Sequence, residues 1–89
     1  MNYTKTIDIL FTLEHPSGGG PSGWLAQCLQ HDIAAQGETL RGAREAFERA
    51  LVTQVFLDLT SGLPPLDHLE SAPVEIWEAF ALERSLVTG

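Results

Sequence analysis

The sequence has few residues of the kinds that build disulfides, metal sites or nucleic-acid interfaces. Cys28 is the only cysteine in 89 residues, which excludes an internal disulfide and a cysteine-rich metal site. Lys and Arg number only five against twelve Asp and Glu, which gives a net charge of −7. Because a negative field repels phosphate backbones, we expect no direct binding to DNA or RNA. The same field would attract a basic protein.

Long apolar runs are also missing. No stretch approaches the ~18 apolar residues that a membrane span needs, and the N-terminus lacks the basic start and apolar run of a signal peptide. We therefore expect a cytoplasmic protein that does not enter a membrane. The length predicts a single domain over 1–89, with a core at 4–60 and a C-terminal helical extension at 63–89. A domain of this size buries little surface, and self-association is a ready way to bury more.

An alternation of apolar and polar residues predicts a first strand over residues 4–14. The apolar positions with this two-residue period are Ile7, Ile9, Phe11 and Leu13. The Gly- and Pro-rich stretch at 16–23 then predicts a loop, because neither a strand nor a helix tolerates these residues at such density.

Two further strands are predicted after this loop. Residues 24–30 form the second strand, in which Cys28 is a small buried hydrophobe. A tight turn at 31–32 leads to a short third strand at 33–36, which ends at Gly37. Three sequential antiparallel strands make a meander.

A long helix is predicted from Leu40 to about Leu59, with Thr39 as its N-cap. Apolar residues recur along it at three- and four-residue steps: Leu40, Ala43, Phe47, Ala50, Leu51 and Val55. Gly62 suits the left-handed position after a helix end. The fold class is therefore α+β, a three-stranded antiparallel meander followed by a packed helix.

The C-terminal part is short and acidic. A fourth short strand could form between 63 and 69, and a second helix is expected to start around Pro73. Up to Leu57 the chain has six acids and four bases, whereas from Asp58 onward it has six acids and Arg84 alone.

The residues from Trp24 to Leu40 carry a recognisable pattern. A strand and a return strand end in a glycine, which is followed by an acidic residue, a threonine and a helix with spaced alanines. The matching residues are Gly37, Glu38, Thr39, Leu40, Ala43 and Ala46. This pattern resembles the core of HicB-like antitoxins, and the resemblance covers roughly residues 5–57.

The resemblance implies a strand-strand-strand-helix-strand core, related in shape to part of the ribonuclease H fold. It also implies binding to a small basic ribonuclease toxin, HicA, which bacterial members of the family mask. Many members carry an additional C-terminal DNA-binding domain.

Three features depart from the family pattern. Residues 31–32 replace its proline-rich turn, and Gly42 stands where an acidic residue usually closes a capping box with Thr39. The 27 residues after Gly62 include a single base, Arg84, so operator binding is not carried over.

The sequence offers little support for an enzymatic role. The ribonuclease H-like shape would need several carboxylates around two metal ions. Asp8 is the only acid placed suggestively, positions 24–30 contain no second one, and a solvent-facing role for Asp8 is favoured. We therefore expect no catalytic residues, no metal and no cofactor, and a metal-dependent nuclease ranks last.

Two surfaces are candidates for binding. One is an exposed sheet edge, which can add a strand from a partner. The other is the C-terminal helix, where Trp77 and Phe80 form a large apolar area beside Glu75 and Glu78. These two aromatic residues either cover the chain's own sheet or pack against a second copy, which predicts a homodimer or higher homo-oligomer. The leading hypothesis is masking of a small basic toxin, and the alternative is a stand-alone oligomeric module that binds another protein or a small ligand.

Overall fold

The structure, a computed structural model, describes residues 5–15 and 22–88, with side chains described up to Glu83. Three strands form one antiparallel sheet in the order β1-β2-β3: β1 (Ile9–Glu14), β2 (Gly23–Cys28) and β3 (Ala34–Gly37). The predicted meander is confirmed. The first strand is shorter than predicted, since residues 5–8 lie outside β1. The predicted loop at 16–23 ends one residue earlier, because Gly23 is the first residue of β2, and its residues 16–21 lie outside the described residues.

The sheet register places alternate residues on two faces. Ala26 and Cys28 are fully buried in the core on the face that packs against the first helix. The predicted apolar face of β1 is only half-buried there, and Leu13 is exposed. Leu10 is instead the most buried residue of β1, and it pairs across the sheet with the buried Gln27 on the opposite face. The alternation predicted that the Ile9 and Phe11 face of β1 is the buried one. Because the sheet is buried on both faces, Leu10 on the opposite face is more buried than either.

Helix α1 (Leu40–Thr60) begins at Thr39 as predicted. The Thr39 backbone is extended, and its Oγ1 accepts a hydrogen bond of 2.9 Å from the Gly42 amide. Ala43 and Phe47 are buried against the sheet. The helix ends within one residue of the predicted position.

Gly37 brings α1 into direct contact with the backbone of β3. A Cβ at this position would lie 2.3 Å from the Ala43 nitrogen and 2.5 Å from the Gly42 carbonyl carbon. No side chain fits in that space, so the first turn of α1 rests on bare strand backbone. The glycine at the end of the third strand is therefore a packing requirement.

The fourth strand considered between 63 and 69 does not form. Pro64 and Pro65 have no amide hydrogen to donate to a ladder, and Leu66 adopts a left-handed conformation with φ of 69°. The following residues instead pair with the turn after β2: the Asp32 amide donates to the Glu70 carbonyl at 2.6 Å. The Ala72 amide likewise donates to the carbonyl of Leu29, at 2.8 Å.

Helix α2 (Val74–Thr88) follows Pro73, as the sequence predicts. Within residues 5–15 and 22–88, no other strand or helix lies extensively against it. The radius of gyration is 14.6 Å, whereas a compact chain of this length is expected to have about 12 Å. The excess fits a helix that stands off the rest of the domain. Across the described part of the chain, no helix combines the length and apolar character of a membrane span.

Gly37→Ala should destabilise the domain by about 1–3 kcal/mol, since overpacking at a rigid backbone forces atoms to shift. Urea unfolding followed by circular dichroism measures the loss. Gly23→Ala is the control, because a Cβ there would meet only the Gly37 carbonyl oxygen, at an ordinary 3.4 Å. Its effect should stay within about 0.5 kcal/mol. Equal stability of the two variants would contradict the close approach of α1 to β3.

Candidate functional site

Helix α1 is longer than the sheet beneath it. Its 21 residues span about 31 Å, whereas the six residues of β1 or β2 span about 20 Å. The N-terminal half of α1 is seated on β3 by Gly37 and carries Ala43 and Phe47, the buried apolar residues of this helix. In the C-terminal half, Leu51 and Val55 are half-buried against the core, whereas other apolar residues of this half are exposed.

An open groove lies beside this C-terminal half. It has a volume of about 740 Å³ and runs between α1, the connection that follows it and the residues before β1. Its apolar walls are formed by Ile7, Leu51, Val55, Leu59, Leu63 and Leu66. Lys5 lies at its edge and forms an ion pair with Asp67.

A row of exposed apolar side chains adjoins the groove. Val52, Phe56 and Leu59 are 66%, 64% and 60% exposed, and they recur at steps of four and three residues along one line of α1. We call these three residues the α1 row. Leu59 belongs to both the row and the groove, so the two form one continuous apolar surface. Contiguous patches of this kind on small proteins mark interaction sites.

The wall of the groove is fixed by a buried carboxylate. Asp58 is 2% exposed, and its Oδ2 accepts a hydrogen bond of 2.8 Å from the Leu66 amide. Its Oδ1 accepts from Gln54 Nε2 at 2.9 Å and from His68 Nε2 at 2.8 Å. His68 must be the donor in this pair, because an ionised carboxylate only accepts. The backbone carbonyl of Asp58 also accepts from the Leu63 amide, at 2.8 Å.

These bonds attach Leu63 and Leu66, which lie before and after the two prolines of the connection, to Asp58 of α1. Leu66 adopts a left-handed conformation that costs a residue with a Cβ about 1–2 kcal/mol. The charge-assisted bond from its amide to Asp58 offsets this cost. As a result, the Leu66 side chain turns into the core, where it is 3% exposed.

The hydrogen bonds also act on the ionisation of Asp58. The Leu66 amide is the largest influence, and together with His68 and Gln54 it lowers the pKa of the carboxyl below its ordinary value of 3.8. Burial acts in the opposite direction and is outweighed. The carboxylate is therefore ionised wherever the protein is near neutral pH.

The residues predicted to bind a partner lie on α2. Trp77 is 38% exposed, Glu75 and Glu78 are exposed, and Phe80 is half-buried and engaged within the chain. None of them lines the groove on α1. The structure thus has two separate apolar surfaces, and the sequence predicted only the one on α2.

The motif residues occupy the junction between β3 and α1. Gly37, Thr39 and Ala43 have the packing and capping roles described above, whereas Glu38 and Leu40 are exposed. Leu40 was predicted on the buried stripe of the helix. It starts the first turn, where the glycine backbone of β3 offers no side chain to cover it.

Asp8 is half-buried rather than solvent-facing. Its Oδ2 accepts from Gln30 Nε2 at 2.7 Å, and its amide donates to Gln30 Oε1 at 2.9 Å. Among residues 5–15 and 22–88, no group of three or more His, Cys, Asp or Glu side chains is placed to hold a metal ion.

A second cleft lies at the loop end of the sheet. It has a volume of about 730 Å³, and its lining includes Glu14, Glu38 and the half-buried Trp24. His15 Nδ1 lies 2.9 Å from Ser22 Oγ at its edge, and both side chains are exposed. His15 and Ser22 flank residues 16–21 in the sequence, which lie outside the described residues.

Comparison with known proteins gives no information about the candidate site. No family model, curated protein or solved structure matches the chain. The resemblance to HicB-like antitoxins therefore stays a prediction from the sequence motif.

Asp58→Asn should loosen the connection and lower the thermal midpoint by roughly 5–15 °C. The amide group would turn a donor toward either the Leu66 amide or the Gln54 and His68 donors, which leaves buried polar groups unpaired. Asp67→Asn makes the same chemical change at an exposed ion pair with Lys5. That control should move the midpoint by about 2 °C or less. Calorimetry showing similar losses for both variants would refute the role given to Asp58.

Acid should weaken the protein through the same carboxylate. The pKa of Asp58 is lower in the folded chain, so its contribution is fully present above pH 3.8 and is lost as the pH falls toward the folded value. Urea midpoints measured at pH 7, 5, 4 and 3 test this. The midpoint of the wild type should fall more steeply below pH 4 than that of Asp58→Asn. Parallel pH profiles would show that another group controls acid stability.

Proposed function

We propose that the chain is a non-catalytic protein-binding module. The observation that carries this proposal is the continuous apolar surface formed by the groove and the α1 row. Asp58 holds the groove wall in place before any partner arrives. A preformed apolar groove loses less entropy on binding than a loop that must first become ordered.

The net charge of −7 favours a basic protein as the partner. Exposed acids are concentrated after α1, where they are Asp67, Glu70, Glu75, Glu78 and Glu83. Such a surface speeds encounter with a positively charged protein and discriminates against acidic ones. We place the charged part of the contact on the acidic side of α2, including Glu75 and Glu78, and its apolar part on the groove and the α1 row.

The class of the basic partner comes from the sequence resemblance. HicB-like antitoxins mask a small basic ribonuclease, and we propose that this chain neutralises such a toxin in the cytoplasm by direct binding. The charge of the chain and its protruding acidic helix support this choice. The alternative is a stand-alone oligomeric module without a toxin partner, and the separation of α2 from the sheet and α1 favours that role.

Affinity capture from native lysate, followed by purification of the captured protein, tests the proposal. We expect a small protein with an isoelectric point above about 9 whose ribonuclease activity the chain inhibits. An acidic partner, or no partner at all, would contradict the toxin-masking role.

Calorimetry on the purified pair locates the contact. Raising NaCl from 50 to 300 mM should weaken binding by about tenfold or more, because part of the attraction is screened charge. The double change Glu75→Gln with Glu78→Gln should weaken binding at low salt. The matched control, Glu14→Gln with Glu38→Gln, removes the same charge at the other end of the sheet and should have less effect. Equal effects of the two pairs would argue against α2 as the contact.

A further inference from the structure

The outer edge of β1 presents backbone groups without partners. The Leu29 amide donates to the Asp8 carbonyl at 3.0 Å, so residue 8 bonds to the β2 side of the sheet. Because alternate residues of an antiparallel strand bond to the same neighbour, the even-numbered residues of β1 face β2 and the odd-numbered ones face outward. The outward residues are Ile9, Phe11 and Leu13. In the described part of the chain, their amide and carbonyl groups have no hydrogen-bond partner.

Nothing in β1 protects this edge from pairing. Natural sheets protect an exposed edge with lysine, proline or a bulge. The sequence of β1, ILFTLE, contains neither lysine nor proline. Its six residues pair one to one with β2, so no bulge bends it away. A row of free amide and carbonyl groups with this spacing is matched by another extended strand.

The opposite edge of the sheet is shorter and partly occupied. By the same alternation, Ala34 and Gln36 are the outward residues of β3, which has only four residues. Asp32 is the next outward residue before them, and its amide already donates to the Glu70 carbonyl. The β1 edge is therefore the longer free edge of the sheet.

Two copies of β1 are able to complete each other's edge. In an antiparallel ladder between two outer edges, outward residues must lie opposite outward residues. One such register places Ile9 opposite Phe11 of the second copy and Leu13 opposite Ile7 of the second copy. Ile7 is the next odd-numbered residue before β1, so its backbone continues the same edge.

Charge selects this register over the one with the fullest overlap of β1. If Phe11 lay opposite Phe11, Asp8 would lie opposite Glu14, and like charges directly opposite are destabilising. A shift of two residues places Asp8 opposite Thr12 and Glu14 opposite Thr6. No like charges then face each other.

The same register covers an exposed leucine. Leu13 is 44% exposed and lies on the face of the sheet that carries α1. Opposite it lies Ile7, which lines the apolar groove beside α1 on the same face. A shift in the other direction would instead place His15 opposite Ile9. The register with Leu13 opposite Ile7 therefore keeps an apolar residue opposite each outward residue of β1.

We propose that β1 of one copy pairs with β1 of a second copy in this register. The two three-stranded sheets then form one antiparallel sheet of six strands, related by a two-fold axis. The contact uses the β1 edge of both copies, so association stops at the dimer. The dimer goes beyond the proposed binding of a basic protein, and it uses neither α2 nor the α1 row.

Analytical ultracentrifugation of the full chain at 1–100 µM tests the dimer. Leu13→Pro removes an outward amide hydrogen and keeps the bonds to β2, and it should weaken dimerisation by about tenfold or more. Gln36→Pro is the matched control, because it makes the same change at an outward residue of the β3 edge. This control should leave the dimer intact, and circular dichroism checks that both variants fold. Equal losses for the two variants would overturn the proposal.

Charges at position 12 test the register. Because Thr12 lies opposite Asp8 of the second copy, Thr12→Lys should strengthen the dimer and Thr12→Glu should weaken it. Thr53→Lys and Thr53→Glu change the net charge equally at an exposed position of α1. They should have clearly smaller effects, and equal effects at the two positions would contradict the register.

Hydrogen exchange tests the same edge without substitution. The amides of Ile9, Phe11 and Leu13 should exchange more slowly at 100 µM than at 1 µM, whereas those of Ala34 and Gln36 should not change. Protection of the β3 amides instead would join the other edges. A wild-type monomer at 100 µM excludes the dimer. If Leu13→Pro then also lost the captured basic protein, the β1 edge would bind that partner rather than a second copy.

Discussion

The hydrogen bonds of Asp58 determine the shape of the groove beside α1, on which the proposed function depends. Its carboxylate accepts hydrogen bonds from Leu66, Gln54 and His68, and its carbonyl accepts one from Leu63. One buried residue thus holds a connection that contains two prolines and a left-handed leucine. Without its carboxylate, the Leu66 amide and the His68 ring would lose the hydrogen bonds that hold this wall of the groove on α1.

The opposite end of α1 is fixed by a different kind of contact. Gly37 lets the first helical turn rest on the backbone of β3, and Thr39 caps the helix one residue before it starts. Further along the helix, Leu51 and Val55 are half-buried against the same core. The α1 row is exposed because it lies on the side of α1 away from Ala43 and Phe47, and the groove lies between that side and the connection that Asp58 holds.

Local patterns in the sequence predicted the strands and helices but did not predict the groove and the Asp58 hydrogen bonds. The strands, the Thr39 cap and the end of α1 follow from alternation, capping chemistry and Gly62, all of which act within a few residues. The bond between Asp58 and Leu66 depends on how the connection folds back, which no periodicity encodes. The α1 row could have been found, since Val52, Phe56 and Leu59 have helical spacing on a side of α1 away from Ala43 and Phe47.

One buried carboxylate holds the wall of a preformed groove, and we propose that the groove binds a protein. Hydrogen exchange of the Leu66 amide, followed by NMR at neutral pH, tests the first link most directly. The account predicts that this amide is protected nearly as well as the amides of β2, because it opens only when the domain does. Exchange at the rate of an unstructured peptide would contradict the account, since the groove would then have no fixed wall.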